Sequence, residues 1–315
     1  NTGVQNPSTA HMEMDTEGRI TLYTGCADIG QGSTTVLSQI AAQVLGISPE
    51  DLQTVVGDTA RTSNAGATSA SRQTYISGNA VRDAAEKLAE VLLTEGVDLL
   101  KKPKADLVLA GGYVAEQRNP KHRVSFSKIA ARATKRGIPL RWQGYFDPPT
   151  VPLDPETGKG APYATYAYAC HVALVTVDVL TGEVTVDKVI AAHDVGHAIH
   201  PESVVGQICG GVAMGVGFAV MEEYDPSKTE SMKDYYIPTS SDMPKVVPII
   251  IESPEPTGPF GAKGVGEPAL IPTAPAIING ITNALGARIY HLPANLERVL
   301  GASIQSGNFS LKEVA

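Results

Sequence analysis

The fold is decided by a strand–turn–helix stretch near the start of the chain: ITLYT at 20–24, GCADIGQG at 25–32 and STTVLSQIAAQVLG at 33–46. The first of these pieces is apolar enough for a short strand. Ser33 can cap a helix whose apolar residues recur every three to four positions until Gly46. A G-x-G turn before a helix offers backbone N–H groups and the helix dipole to an anion. A plain turn with a helix cap is the alternative, and no Lys-Ser or Lys-Thr follows to make a P-loop.

Outward from this stretch, strands and helices alternate along the whole chain, which predicts an α+β fold with two mixed α/β subdomains. The predicted strands are 52–56, a small β-unit within 105–126, and a hairpin of 172–179 and 183–190. The predicted helices are 33–45, a long helix after a polar loop at 61–73, a helix ending near Gly137, a Gly-dense helix over 202–220, and two late helices starting at Pro275 and Pro293 and ending at Gly286 and Gly301. Several prolines at 145–163 indicate a boundary, so we expect subdomains at 1–145 and 146–315.

Composition narrows the function. Hydrophobic residues make up 43% and charged residues 18% of the 315 residues, as in a globular protein. The net charge is −8 without a compensating basic stripe, which argues against a nucleic-acid or anionic-membrane partner. No apolar run approaches the roughly 20 residues of a membrane span. The start of the chain lacks both Met and a signal-peptide pattern, so the sequence could follow a missing piece or a subunit boundary.

The cysteines also limit the chemistry. Cys26, Cys170 and Cys209 form no C-x-x-C pair, so we expect this chain to hold no iron–sulfur cluster or structural zinc by itself. A sparse, odd set of cysteines is typical of a reducing compartment, and we expect a cytoplasmic location.

Two further segments carry polar side chains that could bind a ligand. In ATSASRQ at 67–73, small hydroxyl residues beside Arg72 and Gln73 could bind phosphates or a polar heterocycle, or form a solvated loop. In HDVGHAIH at 193–200, the histidine spacing of a helical face suggests zinc. A strand-to-helix turn with surface histidines is favoured, because Gly196 interrupts the run and Pro201 follows it. Gln207 lies one turn into the next helix, among glycines that would admit a ligand.

The last Gly-rich segment is GPFGAKGVGEP at 258–268. Four glycines in nine residues indicate a sharply folded backbone. Glu267 leaves this loop between Gly and Pro. It could be an ordinary surface carboxylate, or a base with a raised pKa if the loop encloses it.

Four of these pieces occur together and in order: DIGQG at 28–32, SASRQ at 69–73, GQI at 206–208 and GPFGAKGVGEP at 258–268. The combination resembles the molybdenum-binding subunit of the xanthine oxidase family of molybdenum hydroxylases. The resemblance spans nearly the whole chain but covers only the second half of a usual molybdenum subunit, and the first-half pterin loop G-G-x-F-G-x-K has no counterpart. In length and starting point the chain is similar to the medium chain of members whose molybdenum subunit is split in two.

The resemblance implies an oxidoreductase that hydroxylates an electron-poor N-heterocycle, nicotinate by expectation, with oxygen taken from water. Glu267 matches the family's active-site glutamate, which would accept the proton of a hydroxyl group on molybdenum. Gln31 should lie close to the metal's oxo ligand. No side chain is expected to bind the metal directly, because the pterin holds it. The expected cofactor-binding residues are Gly30, Gly32, Ser69, Ala70, Ser71, Arg72, Gln73, Gln207, Ala262, Lys263, Gly264, Val265 and Gly266.

The same resemblance implies the cofactors and partners. The cofactor would be molybdopterin, as its cytosine dinucleotide, with molybdenum carrying oxo and sulfido or selenido ligands. Iron–sulfur clusters and FAD are expected on partner subunits, beside a second molybdopterin-binding chain. The alternatives are a xanthine or purine dehydrogenase, an aldehyde oxidoreductase, and a non-catalytic scaffold of the same fold. The presence of both Glu267 and Gln31 disfavours the scaffold.

Overall fold

The computed structural model describes residues 6–307, and within them the chain divides into two compact units. The first unit comprises the chain up to Tyr166 together with Ser253–Gly264. The second comprises Ala167–Glu252 and the chain from Val265 onward. This division differs from the expected boundary at residue 145, because the segment after that boundary and a later return of the chain both belong to the first unit.

The first unit combines strands and helices in the alternating order that the sequence predicts. Its strands are β1 (Ser8–Met14), β2 (Ile20–Thr24), β3 (Leu52–Val56), β4 (Leu107–Ala110), β5 (Tyr113–Glu116), β6 (Asn119–Ser125) and β7 (Arg141–Phe146). Its helices are α1 (Ser33–Leu45), α2 (Gly78–Leu100) and α3 (Phe126–Lys135). A π-helical turn, Gln73–Ser77, leads into α2.

A four-stranded sheet in the order β3-β2-β1-β7 forms the centre of this unit. The β2–β3 pair is parallel and the other two pairs are antiparallel, while β4, β5 and β6 form a separate antiparallel sheet. Alternate residues of β1 and β2 are buried, and their inward side chains Met12 and Leu22 are fully enclosed with Leu37, Ile40 and Leu88 of α1 and α2. Burying each such side chain contributes about 1.5–3 kcal/mol.

The second unit is a three-stranded sheet with helices on one face. Its strands are β8 (Ala169–Val177), β9 (Val184–Asp194) and β10 (Lys245–Ile251), in the order β10-β9-β8. Its helices are α4 (Pro201–Val220), α5 (Thr273–Leu285) and α6 (Leu296–Gln305). The core combines residues of the sheet with Ile208 and Val212 of α4, Ile277 of α5 and Val299 of α6.

The other face of this sheet is apolar but exposed. Side chains alternate between the two faces of a strand, so the residues that flank the core positions point outward. Val172 and Leu174 of β8 are 52% and 44% exposed, and Ile249 and Ile251 of β10 are 44% and 48% exposed. We call this surface of β8 and β10 the open sheet face.

Most predicted elements are confirmed, including the hairpin, the Gly-dense helix and the end of α5 at Gly286. The predicted stop at Gly301 was wrong: α6 runs on to Gln305, because its buried stripe of Val299, Ala302 and Ser303 continues past that glycine. β10 escaped prediction because Pro248 interrupts its apolar run, and proline is tolerated on an edge strand such as this one.

The expectation that no apolar run reaches membrane-span length needs a correction. Helix α4 has 20 residues, and an 18-residue stretch of it has a mean hydropathy of 1.7, so it is long and apolar enough by length and composition to cross a membrane. The core helix of a water-exposed domain passes the same test. Ile208, Val212, Val216 and Ala219 of α4 lie in the core of the second unit.

Candidate functional site

The first Gly-rich segment is organised by Asp28. Its carboxylate accepts hydrogen bonds from the backbone N–H groups of Gly30 (2.9 Å), Thr34 (3.1 Å) and Gly32 (3.4 Å). Burial would raise the pKa of Asp28, but these backbone hydrogen bonds outweigh it and hold the pKa below its ordinary value. The prediction that Ser33 caps α1 was wrong, because Gly32 occupies the cap position and the Asp28 carboxylate bonds the first turn instead.

Gln31 lies within this Asp28-organised loop. Its side-chain carbonyl accepts a hydrogen bond from the Ile29 N–H at 2.7 Å, and its amide group donates to the Ala27 carbonyl at 3.5 Å. The side chain is half-buried and folded against its own loop. Gln31 is therefore held in place by local contacts.

The 67–73 segment is tied to the same loop by a chain of side-chain hydrogen bonds. Ser77 Oγ donates to Gln73 Oε1 (2.7 Å), Gln73 Nε2 donates to Thr68 Oγ1 (2.9 Å), and Thr68 Oγ1 donates to the Ala27 carbonyl (2.8 Å). Gln73 is 7% exposed. Its amide thus points inward and joins two loops, which leaves the backbone of this segment as the part that a ligand can meet.

Arg72 is also turned inward and is only 3% exposed. Its guanidinium donates to the carbonyls of Ala65 and Ala67 and, from the other nitrogen, to those of Asn6 and Pro7. Burial lowers the pKa of Arg72, and its Nε has no hydrogen-bond partner within residues 6–307. This side chain fixes the shape of the loop from inside.

The outward part of the loop is strained and closely packed. Ala70 and Ser71 have φ angles of 52° and 50°, in the left-handed region that non-glycine residues seldom adopt. A Cβ on Gly264 would lie 1.9 Å from the Ser71 carbonyl oxygen, so glycine lets the 258–264 backbone approach that of 69–73.

The 258–264 backbone is anchored on the start of α2. Tyr75 OH and Thr257 Oγ1 are 2.7 Å apart, and Asn79 donates to the Thr257 carbonyl at 2.8 Å. Lys263 Nζ donates to the Tyr166 carbonyl at 2.9 Å. Three predicted segments, those of Gln31, of Ser69–Gln73 and of Ala262–Gly264, are thereby brought together within the first unit.

The remaining predicted residues belong to the second unit. Gln207 is half-buried on α4, and its side chain has no hydrogen-bond partner among residues 6–307. A Cβ placed on the neighbouring Gly206 or Gly210 would have no atom within 4 Å, so the space beside both residues is open. This part of α4 therefore offers an unpaired amide beside bare, accessible backbone.

Val265, Gly266 and Glu267 begin the turn that leads into α5. Glu267 is exposed, and its backbone carbonyl accepts a hydrogen bond from the Leu270 N–H at 3.0 Å. Ala269 of this turn packs where a Cβ on Gly211 would stand, with its own Cβ 2.6 Å from that position. Gln207 precedes Gly211 by one helical turn. The two residues therefore lie on the same face of α4, the face that contacts Ala269.

The residues of the first unit have the chemistry that a molybdopterin needs. The pterin and its phosphates need many hydrogen-bond donors and little side-chain bulk, which the backbone of 69–71 and 262–264 provides. In the second unit, the amide of Gln207 is a further group that can donate and accept. The inward Arg72 and Gln73 side chains leave that backbone uncovered. Among the described residues, no group of three or more His, Cys, Asp or Glu side chains could hold a metal ion.

The histidine-rich stretch forms a strand-to-helix turn, as favoured from its sequence. His200 Nδ1 accepts a hydrogen bond from the Ser203 N–H at the start of α4, and His197 pairs with Glu252. The expectation of surface histidines was wrong for His193, which is fully buried at the end of β9. Its Nε2 lies 2.7 Å from Nε2 of His171 on β8, where both side chains face the core.

Several residues that hold the predicted segments or lie near them escaped sequence reasoning. Asp28 carried a signal, since an Asp two residues before a glycine is typical of a local side-chain-to-backbone turn. Thr68, Tyr75 and His171 carried none, because their partners are distant in sequence and a lone polar residue in a strand or loop is common.

Comparisons with known proteins also indicate molybdopterin binding. The family model described as the molybdopterin cofactor-binding domain matches residues 1–244. The chain is 35% identical over 307 residues to an aldehyde oxidoreductase of Megalodesulfovibrio gigas, and 32% identical over 303 residues to the large subunit of nicotine 6-hydroxylase of Paenarthrobacter nicotinovorans. The crystal structure of quinoline 2-oxidoreductase from Pseudomonas putida 86 matches with a TM-score of 0.82 at 29% identity.

The matched region is only part of each of these proteins. It covers 95%, 94% and 95% of this chain, respectively, but 31% of the aldehyde oxidoreductase, 36% of the nicotine hydroxylase subunit and 38% of the quinoline oxidoreductase chain. The chain thus spans about a third of the length of the relatives it matches.

The histidine pair, with His193 buried and His171 half-buried, makes stability depend on pH. Burial, followed by the neighbouring His193, lowers the pKa of His171 from 6.5 to about 4. Between these two pH values the unfolded chain binds the extra proton and the folded chain does not, so stability present above pH 6.5 is lost as pH falls towards 4. Urea unfolding at pH 7.5, 6 and 5 should show this loss in the wild type and a smaller loss in His171→Asn. His291→Gln, at an exposed histidine, is the control and should retain the wild-type dependence.

Proposed function

The chain belongs to the molybdopterin cofactor-binding family, and from that membership we propose that it is the molybdopterin-binding catalytic part of a molybdenum hydroxylase. The proposed reaction is hydroxylation of an electron-poor N-heterocycle with water as the source of oxygen. The observation that carries the proposal is the position of Glu267, an exposed carboxylate at the end of the Gly-rich 258–266 backbone. Its turn packs through Ala269 on Gly211 of α4, one helical turn from Gln207.

Each part of the chain has a defined task in this proposal. The backbone of 69–71, with Gly30, Gly32 and 262–266, binds the pterin and its dinucleotide, for which the cytosine form is proposed. Gln207 pairs with a polar group of the cofactor. Gln31, held by the Ile29 N–H and the Ala27 carbonyl, would lie close to the metal. Arg72 and Gln73 support these contacts from within the loop.

The chemistry divides between the bound group and the protein. When bound, the molybdenum centre, with its oxo and sulfido or selenido ligands, supplies the two-electron oxidation. A Glu267 carboxylate oxygen accepts the proton of the hydroxyl group that attacks the ring carbon, which makes that oxygen a better nucleophile. The anchored turn holds the carboxylate in place during this transfer.

For the substrate we propose nicotinate, converted to 6-hydroxynicotinate as by nicotinate dehydrogenase. The names of two relatives, a nicotine 6-hydroxylase and a quinoline 2-oxidoreductase, support a nitrogen heterocycle. An aldehyde is the second candidate, favoured by the 35% identity to an aldehyde oxidoreductase, and a xanthine or purine is the third. Comparing turnover of nicotinate, xanthine and an aldehyde by the holoenzyme decides among them.

Partner chains are part of the proposal. The electrons removed from the substrate need a relay, and the three cysteines of the sequence form no cluster-binding pattern. We therefore propose an iron–sulfur subunit, a flavin subunit and a second molybdopterin-binding chain, all in the cytoplasm. The open sheet face supports this, since a contiguous apolar surface is typical of an interface.

Mass spectrometry of the chains that copurify with this protein tests the partner proposal. We expect three further chains and, in the intact complex, iron and flavin besides molybdenum. Full activity of the 315-residue chain purified alone would contradict it.

Replacement of Glu267 tests the catalytic assignment. Glu267→Gln keeps the shape of the side chain but cannot accept the proton, so substrate-dependent reduction of the metal should slow by roughly 10²- to 10⁴-fold. Molybdenum content should stay near the wild-type value. Glu297→Gln, at an exposed glutamate of α6, is the matched control. Reduction of Glu267→Gln at the wild-type rate would remove Glu267 as the base.

Replacement of Gln207 tests the cofactor assignment. Gln207→Ala leaves a polar group of the cofactor unpaired, which costs about 1–3 kcal/mol, or roughly a ten- to hundredfold loss of affinity. We expect partial molybdenum occupancy with normal activity per bound metal. If Gln207 only packs against its surroundings, occupancy stays full and the melting temperature falls slightly. Gln305→Ala on α6 serves as the control.

A further inference from the structure

The proposed function leaves the pair of His171, half-buried, and His193, fully buried, in the second unit without a role. His171 Nε2 and His193 Nε2 are 2.7 Å apart, and the two rings meet edge to face with centroids 4.8 Å apart. At this distance one Nε2 donates a hydrogen bond and the other accepts it, so the accepting ring is neutral and the two rings are held against each other.

The pair is connected to the start of α5. His171 Nδ1 lies 3.0 Å from the hydroxyl oxygen of Thr273, a residue with no exposed surface. A hydroxyl can donate or accept, so this contact persists in either tautomer of the histidines. Two strands of the sheet are therefore tied through one side chain to the first residue of α5.

From Thr273 the hydrogen bonds continue to the turn that bears the proposed base. The Thr273 N–H donates to the Leu270 carbonyl (3.2 Å), and the Leu270 N–H donates to the Glu267 carbonyl (3.0 Å). Four consecutive hydrogen bonds thus connect His193 of the sheet to the Glu267 backbone, through His171, Thr273 and Leu270.

Helix α4 closes around the same turn. A Cβ on Gly215 would lie 2.3 Å from the Thr273 Cβ, and one on Gly211 would lie 2.6 Å from the Ala269 Cβ. Two glycines one helical turn apart thereby form notches that receive Ala269 and Thr273. Helix α4 confines the 267–273 turn on one side, and the Thr273 hydroxyl binds it to the sheet through His171.

His193 shows that this arrangement has a cost. Its Nδ1 is buried and has no hydrogen-bond partner among the described residues. An apolar side chain would fill the same core position without leaving a polar atom unpaired. If the pair served only packing, an apolar side chain in place of His193 would be more stable. The contact with Thr273 explains why two histidines stand here instead.

We propose that His171 and His193 are positioning residues, which act through Thr273 to hold the Glu267 turn in its place against α4. This role rests on the proposed function, in which Glu267 takes the proton. The histidines touch neither substrate nor cofactor in this scheme. Their effect is on the placement of the Glu267 backbone and thus on the rate of proton transfer, which is sensitive to displacements of about 1 Å.

The test removes the hydroxyl and keeps the shape. In the holoenzyme with its copurifying chains, Thr273→Val should speed hydrogen exchange of the Leu270 and Thr273 amides at least tenfold. It should lower kcat by roughly ten- to hundredfold while KM and molybdenum content stay unchanged. Thr273→Ser restores the hydroxyl and should restore both readouts. Thr282→Val is the control on the same helix, because the Thr282 hydroxyl has no hydrogen-bond partner among residues 6–307.

The outcomes separate the two proposals. Wild-type exchange at 267–273 in Thr273→Val, or failure of Thr273→Ser to rescue, would overturn the positioning role. Faster exchange with unchanged kcat would also overturn the positioning role, because the tether would then not affect proton transfer. The base assignment of Glu267 is tested separately by Glu267→Gln. His193→Phe, which keeps the core filled, should reproduce the exchange result of Thr273→Val. Wild-type exchange in that variant would also overturn the role of the pair.

Discussion

The second unit depends on the close approach of α4 to the turn before α5. Side chains at Gly211 and Gly215 would occupy the positions of Ala269 and Thr273, so any residue other than glycine would push the turn away from the helix. Helix interiors lose about 0.5–1 kcal/mol for each glycine relative to alanine. The gain is a rigid seat for the turn, with Glu267 at its outer end and Gln207 one helical turn away. Helix α4 is rich in glycine for this contact and for access to Gln207, and its other side supplies Ile208 and Val212 to the core.

The first unit meets a related requirement with side chains. A loop that presents its backbone to a ligand must satisfy its other polar groups from behind. Asp28, Thr68, Arg72 and Gln73 do so here, and of these Arg72 and Gln73 are buried. Polar residues in such loops are often assumed to contact the ligand directly. In this chain two of the most conspicuous ones, Arg72 and Gln73, serve the loop itself.

Periodicity and turn residues predicted much of the fold, because α1, α2 and the β8–β9 hairpin are local structures with clear patterns. The open sheet face and the full length of α6 were harder, since each depends on packing that no local pattern records. The four motif segments were found by their glycines. Thr68, Tyr75 and His171 were not, because a side chain that joins two distant segments is recognisable only once the chain has folded. The sequence also did not predict which polar side chains of the motif segments are exposed, such as Glu267, and which are buried, such as Arg72.

The left-handed backbone at Ala70 and Ser71 has a consequence for how a ligand would be received. Holding two non-glycine residues in this region costs about 1–2 kcal/mol per residue, and the inward hydrogen bonds of Arg72 and Gln73 maintain it. The loop is thus ordered when the chain folds rather than when a ligand arrives. Glycine at these positions would relieve the strain and widen the loop's conformational ensemble. With glycine, the loop would lose conformational entropy when a ligand binds. In the present sequence, that entropy is already lost when the chain folds.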